Sequence, residues 1–273
     1  MSKSLRPSET ATPPRLTAKQ REIRQREGRI LDTAHPIIRR GGLSSVSMDA
    51  IAKEMNYTRG TIYNHFPNKE DILLALAARA VQRRMRLFEF AITLGRTRRD
   101  GCAAIGIAAE VYADHMPDEF AIEQAIRHDS VWQKTSDGRR EVLATCEGDC
   151  ITLIGQLIHE SMQAGELALS RGTNASDRVQ QIVFGLWSLV YGGLVIETTS
   201  PSLAESGITN PRQAIRLNCN ALLDNQGWQP LYRPRQYAAF VRRITPRLIE
   251  RANELLEGER VEDARGIDLS PSS

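Results

Sequence analysis

The chain has 273 residues, 41% of them hydrophobic and 25% charged, enough apolar side chains for a sizeable core, which excludes a disordered chain. Its net charge of +3 hides an uneven split: residues 1–100 carry 20 Lys+Arg and 10 Asp+Glu, whereas the other 173 carry 16 and 23. A basic module that meets a polyanion, joined to a body with another task, fits that split; a uniformly basic coating protein does not.

Residues 1–17 are polar and hold three prolines, so they read as a disordered tail with no secretory signal. Lys3, Arg6 and Arg15 would suit a minor-groove arm, though a solvated tail is the simpler reading. A first helix is predicted from about Ala18 to Arg40, its buried stripe formed by Ile23, Ile30, Leu31, Ala34, Ile37 and Ile38 and its end set by Gly41-Gly42. Ser47 caps a second helix whose Met48, Ile51, Ala52 and Met55 follow helical spacing. After a break at Asn56-Tyr57, Thr58 caps a short third helix reaching about His65. Beyond Pro67, Asn68 caps a fourth helix from Lys69 to about Phe90, with Asp71 placed as in a capping box.

Further helices are expected near 102–115, 119–134, 138–165, 174–197, 210–224 and 235–257, and residues 259–273 read as a flexible tail. Strand-like alternation is scarce, so the fold class is all-α. The 18-residue uncharged run Val179–Ile196 has borderline membrane-span length. Its two glutamines, Ser188 and three glycines point instead to a helix in a core or dimer seam.

Two short helices joined by a tight turn inside a basic module suggest a helix-turn-helix. Ala52 is small where the helices cross, Asn56 sits where the turn needs a left-handed backbone, and Ile62 points back into the shared core. The run Thr58-Arg59-Gly60-Thr61-Ile62-Tyr63-Asn64-His65-Phe66-Pro67-Asn68-Lys69 resembles the signature of TetR-type transcriptional regulators. Ile30–Ala34, Gly41-Gly42 and Ser47–Ala52 match the same pattern, over about 50 residues from Arg29 to Ala78. Asn56-Tyr57 departs from the family's usual Gly-Val turn. The resemblance implies an N-terminal three-helix DNA-binding domain (18–68, with 69–92 as connecting helix) and a C-terminal helical effector-binding and dimerisation domain (93–258).

The chemistry of the motif agrees with that expectation. Thr58 can cap its helix and offer a hydroxyl to a phosphate, and Arg59 presents a planar fork to guanine or phosphate. Gly60 lets the helix sit close to the groove, and Thr61 can bond a base edge or touch a thymine methyl. Tyr63, Asn64 and His65 follow on the groove-facing and flanking surfaces; the resemblance gives Tyr63 and His65 to backbone phosphates. Lys69 and Ser47, each at a helix start, should reach further phosphates. Ile62 and Phe66 read as core.

The net-negative body resembles domains that dimerise and hold a small effector. The segments near 174–197 and 210–224 are candidates for the dimer seam, with Gly185, Gly192 and Gly193 allowing close approach. Tyr112, His115, Met116, Trp132, Trp187 and Tyr191 are candidate pocket residues. The four cysteines, Cys102, Cys146, Cys150 and Cys219, are too few for a disulfide-stapled secreted scaffold and read as reduced thiols of a cytoplasmic protein. Cys146 and Cys150 share a helix face that could ligate a metal, with His159 or Cys219 as third ligand, but buried small hydrophobes are the simpler reading.

No Gly-rich phosphate loop, Gly-x-Ser-x-Gly elbow or His-Glu-x-x-His helix is present, which argues against an enzyme. No cofactor is expected. The sequence therefore reads as a homodimeric, cytoplasmic, nucleoid-associated regulator, a repressor released from a palindromic double-stranded operator by a small effector, without membrane attachment. The rival readings are a nucleoid-type protein without sequence preference and a thiol- or metal-dependent enzyme carrying a helix-turn-helix.

Overall fold

The computed structural model describes residues 17–168 and 174–262. Lys3, Arg6 and Arg15 lie outside the described residues, as do the predicted tails apart from Thr17, which caps the first helix, and 259–262, which are not tail but the last turn of a helix. Those described are helical, without a strand. In chain order the helices are α1 (Ala18–Gly41), α2 (Met48–Glu54), α3 (Arg59–Tyr63), α4 (Lys69–Ile92), α5 (Arg98–His115), α6 (Pro117–Ala125), α7 (Asp129–Trp132), α8 (Asp137–Gln163), α9 (Ala175–Thr199), α10 (Pro211–Asn225) and α11 (Pro234–Glu262).

The helix boundaries follow from local chemistry. Side chains of Thr17, Ser47, Thr58, Asn68, Thr97, Asn174 and Asn210 each accept a backbone N–H of the first turn that follows, satisfying donors that the helix itself cannot. Gly42, at φ 74°, closes α1 and bonds back to the Ile38 carbonyl at 2.7 Å. Asp71 does not complete a capping box for α4. Its Oδ1 accepts the Ser136 N–H at 2.7 Å, so a carboxylate of α4 caps the start of α8. The single helix expected over 119–134 is two helices, because the chain turns at 126–128 and His128 Nδ1 takes the Ser130 N–H to start α7.

Two apolar cores form. The first joins α1, α2, α3 and the N-terminal half of α4 through Ile30, Leu31, Ile51, Ile62, Phe66 and Leu74. Ile122 and Ile126 near α6, and Leu143, Cys146 and Cys150 of α8, enter the same core. The second unites the C-terminal half of α4 with α5, α8, α9, α10 and α11 around Tyr112, Phe120, Ile158 and Trp228. Ile23 belongs to neither: it is 40% exposed, because the first turns of α1 project past the body that covers Ile30 and Leu31.

Ion pairs fasten α6 to the helices that lead to the N-terminal module. Arg39 of α1 reaches Asp118 at 3.2 Å, Arg83 of α4 pairs with Glu119, and Arg84 lies 3.2 Å from Glu123. The pairs of Arg83 and Arg84 are buried, where attraction between charges is strong and removal of one partner is expensive.

Helix α9 is long and apolar enough to cross a membrane by length and composition. In the structure it packs on α10, α8 and α5, but only Ile182, Val183 and Leu194 are buried. It is therefore not a core helix of the single chain. Two of its glycines serve the α9–α10 contact: a Cβ on Gly193 would meet Ile215 at 2.5 Å, and one on Gly185 would meet Leu222 at 3.1 Å. Gly192 faces open space, and Phe184, at 66% exposure, stands on the uncovered side.

Candidate nucleic-acid interface and effector cavity

The turn between α2 and α3 is made by Asn56 at φ 54°, and the Tyr57 N–H bonds to the Ala52 carbonyl at 2.9 Å. Asn tolerates this left-handed backbone better than most residues, so its place in the usual glycine position is accommodated. Ile62 and Phe66 are fully buried and pin α3 from below. Arg59, Tyr63 and Asn64 are exposed, Thr61 is partly covered, and Thr58 and Gly60 are exposed at the helix start.

The exposed side chains form a local network. Thr58 Oγ1 accepts the Thr61 N–H at 3.2 Å, and the two hydroxyls are 2.8 Å apart. Arg59 donates to the Tyr63 hydroxyl at 3.2 Å, lies 5.4 Å from that ring's centroid, and stands 3.3 Å from Asp49 of α2. Asp49 was invisible as a partner from sequence, since it lies ten residues away on another helix. It holds the guanidinium at the surface between the two helices.

A Cβ on Gly60 would find only Thr58 Oγ1, at 3.9 Å. Steric need within the chain thus does not explain this glycine. Ser47 is exposed, accepts the Ala50 N–H at 3.1 Å and starts α2. Lys69 starts α4 and is partly exposed. His65 is set back from the outer row, near Glu27, Arg26 and Arg139. Burial lowers its pKa, with Glu27 opposing and the two arginines adding to the effect, which favours the neutral imidazole.

Below α4 a cavity of about 130 Å³ opens among α4, α5, α6, α8, α9 and α10. Of the six pocket residues expected from sequence, Tyr112, Trp187 and Tyr191 line it. The other three do not. Met116 is buried in the second core at the α5–α6 junction, His115 ends α5 half-buried, and Trp132 packs against the first core with Arg140 over its ring. The polar lining that sequence missed consists of Arg84, Glu110, Glu123, Arg127, Glu147, Arg216 and Asn220. These residues come from five segments far apart in sequence, and no local pattern signals their meeting.

Tyr112 donates to Glu123 at 2.6 Å; burial and the nearby carboxylate hold its hydroxyl protonated. Arg127 reaches Glu147 at 2.5 Å and Tyr191 at 3.3 Å, and lies over the rings of Trp187 and Tyr191. Three cysteines also line the cavity. Burial pushes the thiols of Cys102 and Cys219 up to about 12 and that of Cys150 to about 11, which leaves them uncharged and poorly nucleophilic. Cys146 accepts from Gln82 at 3.5 Å and does not line the cavity. Among the described residues no group of three or more His, Cys, Asp or Glu is placed to hold a metal. A second, open groove of about 550 Å³ runs between α8 and α9 past His159 and Phe184.

Residues 30–76 match the family model for bacterial regulatory proteins of the tetR family. The chain is 28% identical over 167 residues to the uncharacterised HTH-type transcriptional regulator YobS of Bacillus subtilis (strain 168), covering 61% of this chain and 76% of that protein. It is 37% identical over 60 residues to the HTH-type transcriptional repressor KstR of Mycolicibacterium smegmatis, a match confined to 22% of this chain and 29% of that one. The fold resembles a regulatory protein of the tetR family from Rhodococcus RHA1, with a TM-score of 0.51 at 15% identity over 73% of this chain and 96% of that one. Residues 30–76 are thus a helix-turn-helix of the kind found in bacterial regulatory proteins of the tetR family, and the chain shares the all-helical fold of such regulators.

Proposed function

We propose that the protein is a cytoplasmic, homodimeric, sequence-specific repressor whose two α3 helices enter successive major grooves of a palindromic operator. The observation that carries this reading is the outer face of α3: a polar row on a helix pinned from beneath by Ile62 and Phe66. Arg59 would exchange Asp49 and Tyr63 for a base edge, and Thr61 would read a neighbouring base. Thr58, Tyr63, Asn64 and, at helix starts, Ser47 and Lys69 would hold phosphates; Gly60 would let the backbone approach. The neutral His65 would add an uncharged hydrogen bond at the rim.

The division of labour would follow the chain, with 18–68 reading DNA, 69–92 connecting, and 93–258 dimerising and binding an effector. A second copy is the natural cover for the exposed Phe184, Trp187 and Ile196 of α9 and Leu217 of α10. An effector in the cavity would contact Arg84 and Phe88 of α4, the helix that begins at Lys69 beside the recognition helix. It would release DNA to the extent that it binds the non-matching arrangement more tightly.

The deciding experiment is selection of sites from fragmented genomic DNA by the purified protein, followed by footprinting. A palindrome with half-sites about one helical turn apart is expected. Recovery without sequence preference would overturn the specific-repressor reading in favour of a nucleoid-type protein.

A further inference from the structure

The cavity holds a buried acid–base pair that is only partly satisfied. Arg84 Nη2 is 3.2 Å from Glu123 Oε2, yet neither that oxygen nor Arg84 Nε has a hydrogen-bond partner among the described residues. The contact is an ion pair without aligned hydrogen bonds. Glu123 is 1% exposed, and its other oxygen is already taken by the Tyr112 hydroxyl. The Arg84 guanidinium lies near the Phe88 and Tyr112 rings, at 5.6 and 6.0 Å from their centroids, and neither ring face satisfies its Nε–H. The two side chains that carry the orphan donor and the orphan acceptor thus both line the same cavity, with the orphan atoms just behind its surface. Native interiors rarely leave such groups unpaired.

Size and wall chemistry narrow what could satisfy both. The volume of about 130 Å³ is close to the ~150 Å³ of an engineered apolar cavity that takes up benzene. Tyr112, Phe120 and Tyr191 meet edge to face along one wall, at 6.4 and 5.8 Å. That wall suits one further ring. The Arg84–Glu123 pair sums to zero charge. A carboxylate ligand would bring a second negative charge to Glu123, and an ammonium would bring a second positive charge to Arg84. A bare hydrocarbon ring would leave both orphans buried. A hydroxyl group both donates and accepts, and it carries no charge.

We propose that the cavity recognises a small aromatic ring bearing one hydroxyl, a phenol, whose oxygen accepts a hydrogen bond from Arg84 Nε and whose hydroxyl donates one to Glu123 Oε2, the two side chains turning slightly toward the ligand. This assignment rests on the reading of the cavity as the effector site and names the chemical class of its ligand. No bond is made or broken.

The test is calorimetric titration of the full-length protein at neutral pH with phenol, toluene, benzoate and benzylamine. Phenol should bind about tenfold or more tighter than each of the other three, because a site built for a hydroxyl rejects analogues that leave its polar groups unpaired. In the triple variant Arg84→Met, Tyr112→Phe, Glu123→Leu, which removes the polar trio together and keeps apolar bulk, the preference should vanish while toluene is retained. The wild-type series decides the matter should that variant lose its helical circular dichroism. Equal or tighter binding of toluene, or preference for benzoate or benzylamine, overturns the hydroxyl assignment and leaves the effector cavity standing. Uptake of none of the four, with only water held there, overturns the assignment and removes support for the cavity reading as well.

Discussion

The Arg139 guanidinium lies over the Phe66 ring, 4.8 Å from its centroid, while its Nη2 reaches Glu27 of α1 at 2.7 Å. One side chain of α8 therefore grips both the residue that anchors the recognition helix and the first helix of the DNA-binding module. Nearby, Asn68 donates to the Lys134 carbonyl at 2.9 Å and Asp71 accepts from Ser136. Together these contacts clasp the start of α8 to the turn after α3.

Arg139→Ala should lower stability by about 2 kcal/mol, since it removes a well-shielded ion pair and a cation–π contact and leaves Glu27 without this partner. Denaturant unfolding of the single variants and of the Glu27→Ala/Arg139→Ala double variant checks it. A coupling energy below about 0.5 kcal/mol would show that the pair is not a clasp.

At the turn, Asn56→Gly should be neutral or slightly stabilising, by up to about 0.5 kcal/mol, because φ 54° suits glycine. Asn56→Val should cost about 2 kcal/mol through strain at the same angle. Thermal unfolding of both proteins separates a conformational role from a side-chain role.

Stability should fall as the pH is lowered from about 7.5 to 5. Burial pushes the His35 pKa below its ordinary 6.5; Asp118 of α6 opposes this, and Arg83 and Arg79 of α4 and Arg39 of α1 add to it. His65 shifts in the same direction. The folded state therefore binds protons less readily than the unfolded chain. The stabilisation is complete above 6.5 and is lost as pH falls through that value toward the depressed folded pKa. His35→Gln should flatten the slope of Tm against pH, whatever it does to Tm itself.

The two neighbouring glycines of α9 should respond with opposite signs. Gly193→Ala drives a methyl into Ile215 and should cost about 1 kcal/mol net of the helix propensity gained. Gly192→Ala meets nothing within the chain and should stabilise the monomer by up to about 1 kcal/mol. Sedimentation of Gly192→Ala also tests the proposed seam, because a methyl on that face should weaken self-association if a second copy packs there.

For DNA binding, Lys69→Ala should weaken affinity for all sequences alike and flatten the dependence on log salt by about one unit. Arg59→Ala should change which base is preferred at one position of each half-site. A uniform loss on Arg59→Ala would reassign that side chain to a phosphate.

Local chemistry made much of this molecule legible. Ser47, Thr58 and Asn68 cap the helices that their types and positions suggested, and Asn56 carries the left-handed turn. What escaped sequence reasoning depends on distant partners. Asp71 has the spacing of a local cap, but Ser136, 65 residues away, claims its carboxylate. Ile23 continues the apolar stripe of α1 beyond the reach of anything that could cover it. Trp132 looks like a pocket residue by type, yet the clasp draws it to the first core. The Arg84–Glu123 pair joins α4 to α6 across 39 positions, and neither residue has a periodic or spacing signal to announce it.

Helix α8 bears the clasp at Arg139 and the cavity wall at Cys150. Eleven residues separate them, about 16 Å of continuous helix. The segment between them is one arm of a stiff rod that continues to Gln163. A tilt of about 10° pivoting at Cys150 would carry Arg139 through about 3 Å, a distance comparable with the whole length of the hydrogen bonds it would disturb. If an effector in the cavity tilted α8 in this way, the displacement would reach Phe66, on which α3 rests, as the proposed function requires.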